Sequence, residues 1–189
     1  MPGPDLADDV RLLRDFANSL DVEQGTDSLD SPAALTRWLA DHELLSPIVD
    51  PPPNLATPNL VTTDELALAL RLRAALRQAM DDHEHGRVRA LPELDAVAAR
   101  LPLRISYAVG RPRLRPMLGG VPGALAAIMA AVARADADGS WRRLKLCEAD
   151  DCRWAFYDTS KNRSRHWCSM GVCGNRNKAR AWRARQRGT

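Results

Sequence analysis

All four cysteines of this 189-residue chain fall within its last forty-three residues, spaced Cys147-x4-Cys152-x15-Cys168-x4-Cys173. Two close pairs and a short connection are what a tetrahedral zinc ion needs. Each pair sits on one tight turn, and the connection is long enough to bring the turns together. The x4 spacing does not fit the Cys-x-x-Cys redox motif, so Cys147, Cys152, Cys168 and Cys173 are read as ligands of one structural zinc ion. The sequence opens on Met1-Pro2-Gly3-Pro4-Asp5, with no charged segment leading into an apolar one. A signal peptide is therefore not expected, and a cytoplasmic location is. The most apolar run, Val121 to Ala133, contains Pro122 and Gly123 and is short for a bilayer span. No membrane partner is expected.

Charge divides the chain unevenly. Residues 141–189 hold thirteen Lys and Arg against four acidic side chains, a balance of +9, whereas the remaining 140 residues hold fourteen against twenty, a balance of −6. Such a division predicts a polyanion-binding end on an acidic body.

The body reads as mainly helical. Leu6, Val10, Leu13, Ala17 and Leu20, with Phe16, follow helical spacing. Ser31-Pro32 combines an N-cap with a proline at the first helical position and opens a second helix to about His42. Residues 46–59 hold five prolines and read as an extended connector. Thr62 and Glu65 form a capping box for the longest helix, over 63–85. Its arginines, Arg71, Arg73 and Arg77, read as solvated or ion-paired, though one facing inward could hold an anionic ligand. The run Asp81-Asp82-His83-Glu84-His85-Gly86 reads as a polar helix end capped by Gly86 rather than a metal site. A short helix over 91–101 follows, then a hairpin over 103–107 and 113–117, and a buried helix over 123–135. No nucleophile elbow, phosphate-binding glycine loop or His-Glu-x-x-His is present, and the chain is not expected to be an enzyme.

In the C-terminal part, Cys147 and Cys152 should occupy a turn between short strands, and Cys168 and Cys173 a helix start. Trp154, Phe156 and Tyr157 supply a small core. On a wheel of about 100° per residue from Gly174, Arg183, Arg176, Arg187 and Arg180 fall between about 180° and 240°, while Trp182, Asn175, Gln186 and Ala179 fall on a neighbouring side expected to dock on the module. Four like charges in a stripe predict a row of phosphates opposite them. Lys161, Arg163 and Arg165 form a second basic run, with His166 at the surface or facing phosphate.

The run Cys173-Gly174-Asn175-Arg176, with Phe156 to Met170 before it, resembles the CGNR zinc finger. The body resembles the helical ABATE domain that precedes such fingers, at Asp15 to Asp21 and at Leu72-Arg73-Ala74-Ala75-Leu76-Arg77. The resemblance implies a bacterial stress-responsive transcription regulator with the finger as its DNA binder.

The expected architecture is a mainly α chain. A multihelical ABATE-like unit with one short β-hairpin spans 1–138, and a treble-clef-like four-cysteine zinc finger ending in a basic helix spans 139–189. The leading expectation is DNA binding through Lys161, Arg163, Arg165, Asn175, Arg176, Lys178, Arg180, Arg183 and Arg187, with the body sensing a small-molecule ligand or forming a homodimer. RNA binding, with Trp154, Tyr157 or Trp167 stacked on unpaired bases, is one alternative. A thiol sensor that loses zinc and repositions the basic helix on oxidation is another.

Overall fold

The computed structural model describes residues 7–45 and 61–187; the proline-rich connector lies outside the described residues. Helix α1 (Asp8–Ala17) begins with Asp8 and Asp9, whose charges suit a helix N-terminus, and buries Val10, Leu13, Phe16 and Ala17 at helical spacing. A short hairpin follows, β1 (Leu20–Asp21) and β2 (Thr26–Asp27), so Leu20, expected at helical spacing on the first helix, lies beyond its end at Ala17. Helix α2 (Pro32–Asp41) starts where expected, with the Ser31 hydroxyl accepting from Ala34 N. Helix α3 (Thr63–Glu84) carries the full Thr62/Glu65 capping box. Helix α4 (Pro92–Ala98) leads to a hairpin of β3 (Leu103–Ser106) and β4 (Arg113–Pro116).

Helix α5 (Gly120–Ala137) is longer and starts earlier than expected. Its first turn lies so close to the preceding segment that a Cβ on Gly123 would run into the Leu118 carbonyl oxygen. A glycine is what allows that approach. Although α5 is long and apolar enough to pass as a membrane span, it packs against α1, α2, α3 and β4. Ala126, Ile128, Ala131 and Ala135 are fully buried within the protein.

A 3-10 turn at Trp141–Arg143 leads into β5 (Leu144–Leu146), which pairs antiparallel with β6 (Ala155–Tyr157). One π-helical turn at Met170–Gly174 then opens helix α6 (Asn175–Arg187). The chain is thus mainly helical, with a small C-terminal treble-clef-like finger that ends in a basic helix. Trp141, Leu144, Leu146 and Ala155 belong to the same apolar core as Phe16, Leu76 and Leu125. The finger's hairpin is roofed by α3 and α1.

Candidate metal centre and nucleic-acid interface

The four cysteines converge. Cys147 leaves β5 with its N–H still donating to Trp154 O at 2.9 Å, and Cys152 N donates to Ala149 O at 2.9 Å to close the turn. Arg153 completes that turn at φ 51°. On the other side Ser169 caps the π turn, its hydroxyl accepting from Val172 N at 3.3 Å. Gly174 lies under the Trp167 ring, and a Cβ there would meet that ring at 3.4 Å and the Met170 sulfur more closely still. A side chain in place of the glycine after the last cysteine would have to push the exposed Met170 side chain aside.

The four sulfurs lie within 4.8 Å of one another, and Cys168 Sγ stands 3.7 Å from both Cys152 Sγ and Cys173 Sγ. A tetrahedron with metal–sulfur arms of about 2.3 Å has edges of about 3.8 Å. The two Cys168 edges match that figure. The thiols' protonation equilibria point the same way. The Cys147 thiol is drawn down to about 5, chiefly by hydrogen bonding with Cys168. Burial pushes Cys152 up to about 12, and the Cys147 interaction together with burial pushes Cys168 up as well. Thiolates this close cannot all ionise without a cation among them.

The centre is clamped to the helical body from three directions. The Asn18 side chain, just beyond α1, treats β6 as a strand partner: its Nδ2 donates to Ala155 O at 2.9 Å and its Oδ1 accepts from Ala155 N at 2.7 Å. Arg77 of α3 is buried and donates to Ala17 O at 2.8 Å and to Arg153 O at 2.9 Å. The Arg153 side chain pairs with Asp81. Further along α3, half-buried His83 lies edge-on to Trp141, with Nδ1 3.0 Å from Leu144 O. Burial lowers its pKa, in keeping with a packing role for this His-x-His segment. Sequence reading missed Asn18 as a contact, although it lies in the ABATE-like stretch Asp15 to Asp21.

Beneath the basic loop lies a buried ionic cluster. Lys145 of β5 donates to Arg163 O at 2.6 Å and to Arg165 O at 3.3 Å, and stands 3.1 Å from Asp158 and 3.6 Å from Glu84. Asp158 is fully buried and accepts from Ser160 N and Arg165 N, at 2.9 and 3.0 Å. Burial alone would raise its carboxyl, but these donors and Lys145 outweigh that and hold it at about 2. Glu84, whose carboxyl burial pushes up, meets His166 Nδ1 at 2.6 Å. His166 is exposed, in line with the surface alternative expected for it, and its Nδ1 turns toward Glu84 of α3. Arg163 adopts φ 52°, a region that a bulky residue occupies only where its surroundings fix it. The Lys145 grip on its carbonyl supplies that constraint. Lys161 and Arg163 project into solvent, whereas Arg165 folds back to donate to Cys168 O at 2.7 Å and lies 5.2 Å from the Phe156 ring centre.

Helix α6 departs from expectation in its docking direction. Trp182 is 59% exposed, and Asn175 and Gln186 are exposed as well. The arginine side turns inward instead. Arg176 bridges Asp151 at 2.7 Å and Glu23 at 2.8 Å, and Arg180 also pairs with Asp151. Hydrogen bonds from Arg180 and Arg176 hold the Asp151 carboxyl at about 2. Carboxylates thus meet half of the predicted arginine stripe. Lys178 and Arg183 are exposed, with no carboxylate partner among the described residues. Asn175 Nδ2 donates to Gly171 O at 3.1 Å and locks the π turn. The Arg187 side chain lies outside what the structure describes.

Of the aromatics considered for base stacking, Tyr157 packs on the main core and Trp167 on the cysteine cluster, which leaves Trp154 with 36% exposure. The body arginines are also committed. Arg73 makes a two-armed contact with Asp27, both distances 2.6 Å, and Arg77 is held as described. Neither is free to receive an anionic ligand. A groove of about 540 Å³ between α3 and α4, lined by Ala74, Gln78, Leu91 and Leu94, has the Arg71–Glu93 pair at its edge.

These features define a class, a helical body carrying a treble-clef-like four-cysteine finger. Residues 11–139 match the ABATE family, described as "Putative stress-induced transcription regulator", and residues 143–186 match the CGNR zinc finger. The first match spans more than half of the chain, which therefore belongs to the ABATE family. Neither family is an enzyme family. No curated protein matches the chain.

Proposed function

We propose that this protein is a cytoplasmic, DNA-binding transcription regulator. Cys147, Cys152, Cys168 and Cys173 hold one structural zinc ion, which supplies the charge that lets the four thiolates coexist and fixes the start of α6. Two functional units are assigned, residues 1–138 as the regulatory body and 139–189 as the finger. Lys178 and Arg183 of α6, with Lys161 and Arg163 of the loop, contact phosphates. Arg187 is assigned to the same set. Arg165 and Asn175 shape the loop and the π turn from behind, and Arg176 and Arg180 join the interface when phosphate displaces carboxylate. The body acts through a small molecule in the α3–α4 groove or through a homodimer.

The observation that carries this reading is that Lys178 and Arg183 are exposed and have no carboxylate partner among the described residues, on a helix otherwise pinned by Asp151 and Glu23. The test is binding of zinc-loaded protein to duplex DNA as salt is raised. Affinity should fall with a log–log slope of about −0.9 for each neutralised phosphate. A flat salt response, or preference for single-stranded RNA in competition, would overturn it. A thiol-sensing role has one observation in its favour: Cys168 is half-buried and faces a cleft of about 280 Å³ beside Trp154 and Val172. Zinc release by mild peroxide, ahead of any loss of helix signal, would support it.

A further inference from the structure

The charge division of the chain conceals a second cationic surface inside the acidic body. Between Asp95 and Asp136 there are six arginines and no carboxylate. Four of them, Arg104, Arg111, Arg113 and Arg115, belong to the β3–β4 hairpin. Its register sets Arg104 directly opposite Arg115 and Ser106 opposite Arg113. Directly paired residues share a face, so three arginines crowd one side of a two-stranded ribbon. The other side carries Leu103, Ile105, Leu114 and Pro116, and its root packs on α5.

Like charges opposed across a ribbon destabilise it. No carboxylate pairs with any of the four hairpin arginines among the described residues. Elsewhere in the body such pairing is the rule, as in Arg71–Glu93, Arg73–Asp27, Arg87–Asp82, Arg89–Asp82 and Arg134–Asp9. The tip adds exposed apolar groups, with Tyr107 68% and Val109 59% exposed.

We propose that this ribbon is a second nucleic-acid contact, whose Arg104, Arg113 and Arg115 grip the phosphodiester backbone of duplex DNA. Guanidinium groups take phosphate oxygens two at a time, and a two-stranded ribbon has the width of a DNA groove. A row of one sign with no acidic residue between its members suits a uniform polyanion. A protein partner would be expected to meet a mixed pattern that fixes register. The inference rests on the DNA-binding reading above and extends it from the finger to the body.

The experiment compares three full-length, zinc-loaded proteins on the same duplex across a salt series: wild type, Arg104→Ala/Arg115→Ala, and Lys178→Ala/Arg183→Ala. The hairpin variant is expected to bind about tenfold more weakly at moderate salt and to lose about 2 from the magnitude of the salt slope. Its melting temperature should not fall, because a repulsive pair has been removed. Arg104→Lys/Arg115→Lys should restore most of the slope. Unchanged affinity and slope in the hairpin variant, with binding lost in the α6 variant, would overturn the ribbon contact alone. No binding by the wild type would overturn the DNA-binding reading and the ribbon contact together. A hairpin variant that changes sedimentation but not DNA affinity would assign the ribbon to contact between copies and overturn this proposal.

Discussion

Arg176 spans 153 residues of sequence to hold the Glu23 carboxylate at 2.8 Å, while its other amino group holds Asp151 at 2.7 Å. A residue of the family's signature run is therefore bonded both to the turn that carries Cys147 and Cys152 and to the small hairpin that follows α1. On the proposed DNA-binding reading, the two carboxylates compete with phosphate oxygens for this guanidinium.

That competition is measurable. Glu23→Gln removes one competitor from Arg176 and leaves Asp151 to orient the helix. Duplex affinity at low salt is expected to rise severalfold, read by fluorescence anisotropy. An exposed pair contributes about 0–1 kcal/mol, so the melting temperature should barely move. Weaker binding would mean that Arg176 is a strut and does not reach the nucleic acid.

Asp158 gives the protein an acid sensitivity of known sign. Its carboxyl is held at about 2 in the folded state, against 3.8 ordinarily. The stability it contributes is therefore complete above about pH 4 and is lost as pH falls through 2. The stability gap between wild type and Asp158→Asn in urea titrations should be full at neutral pH and close in that acid range. Asp158→Ala, which strips a partner from buried Lys145, is expected to cost about 3–5 kcal/mol at pH 7.

Metal analysis is expected to return one zinc per chain, and Cys152→Ser to abolish it. Because Leu144, Leu146 and Ala155 are part of the main core, stripping the metal with a chelator should lower a single cooperative transition. A separate early transition confined to the finger would contradict the shared core. Calorimetry distinguishes the two outcomes.

Asn18→Ala would leave the N–H and carbonyl of Ala155 without their partner. The expected loss is about 1–3 kcal/mol for an orphaned buried group. The effect should also appear at a distance, as faster zinc transfer to a chromogenic chelator. Unaltered transfer with lowered stability would show that the hairpin is rigid without the body's support.

Local chemistry was readable from sequence wherever the relevant partners are near neighbours. The Ser31 cap, the Thr62/Glu65 box and the cysteine spacing each act over a few residues, and the structure has all of them. The two-residue strands β1 and β2 are too short to show a period. The helical wheel placed the α6 arginines on one stripe, but which side faces the protein depended on Asp151 and Glu23. Neither carboxylate is near α6 in sequence. Trp182 was therefore expected to dock and is exposed. Lys145 lies between Leu144 and Leu146, and that setting is a trace of its burial; the Glu84 and Asp158 charges that make burial tolerable come from elsewhere.

The sharing of one core by finger and body carries a consequence for how such a protein can change. A zinc module that closes its own hydrophobic surface can be moved between hosts like a cassette. Here the underside of the β5–β6 hairpin is finished by Phe16, Asn18, Leu76 and Arg77. Replacing either half with a relative's would leave mismatched surfaces at that seam. A substitution at that seam in α1 or α3 therefore calls for a matching change in the hairpin that rests on it.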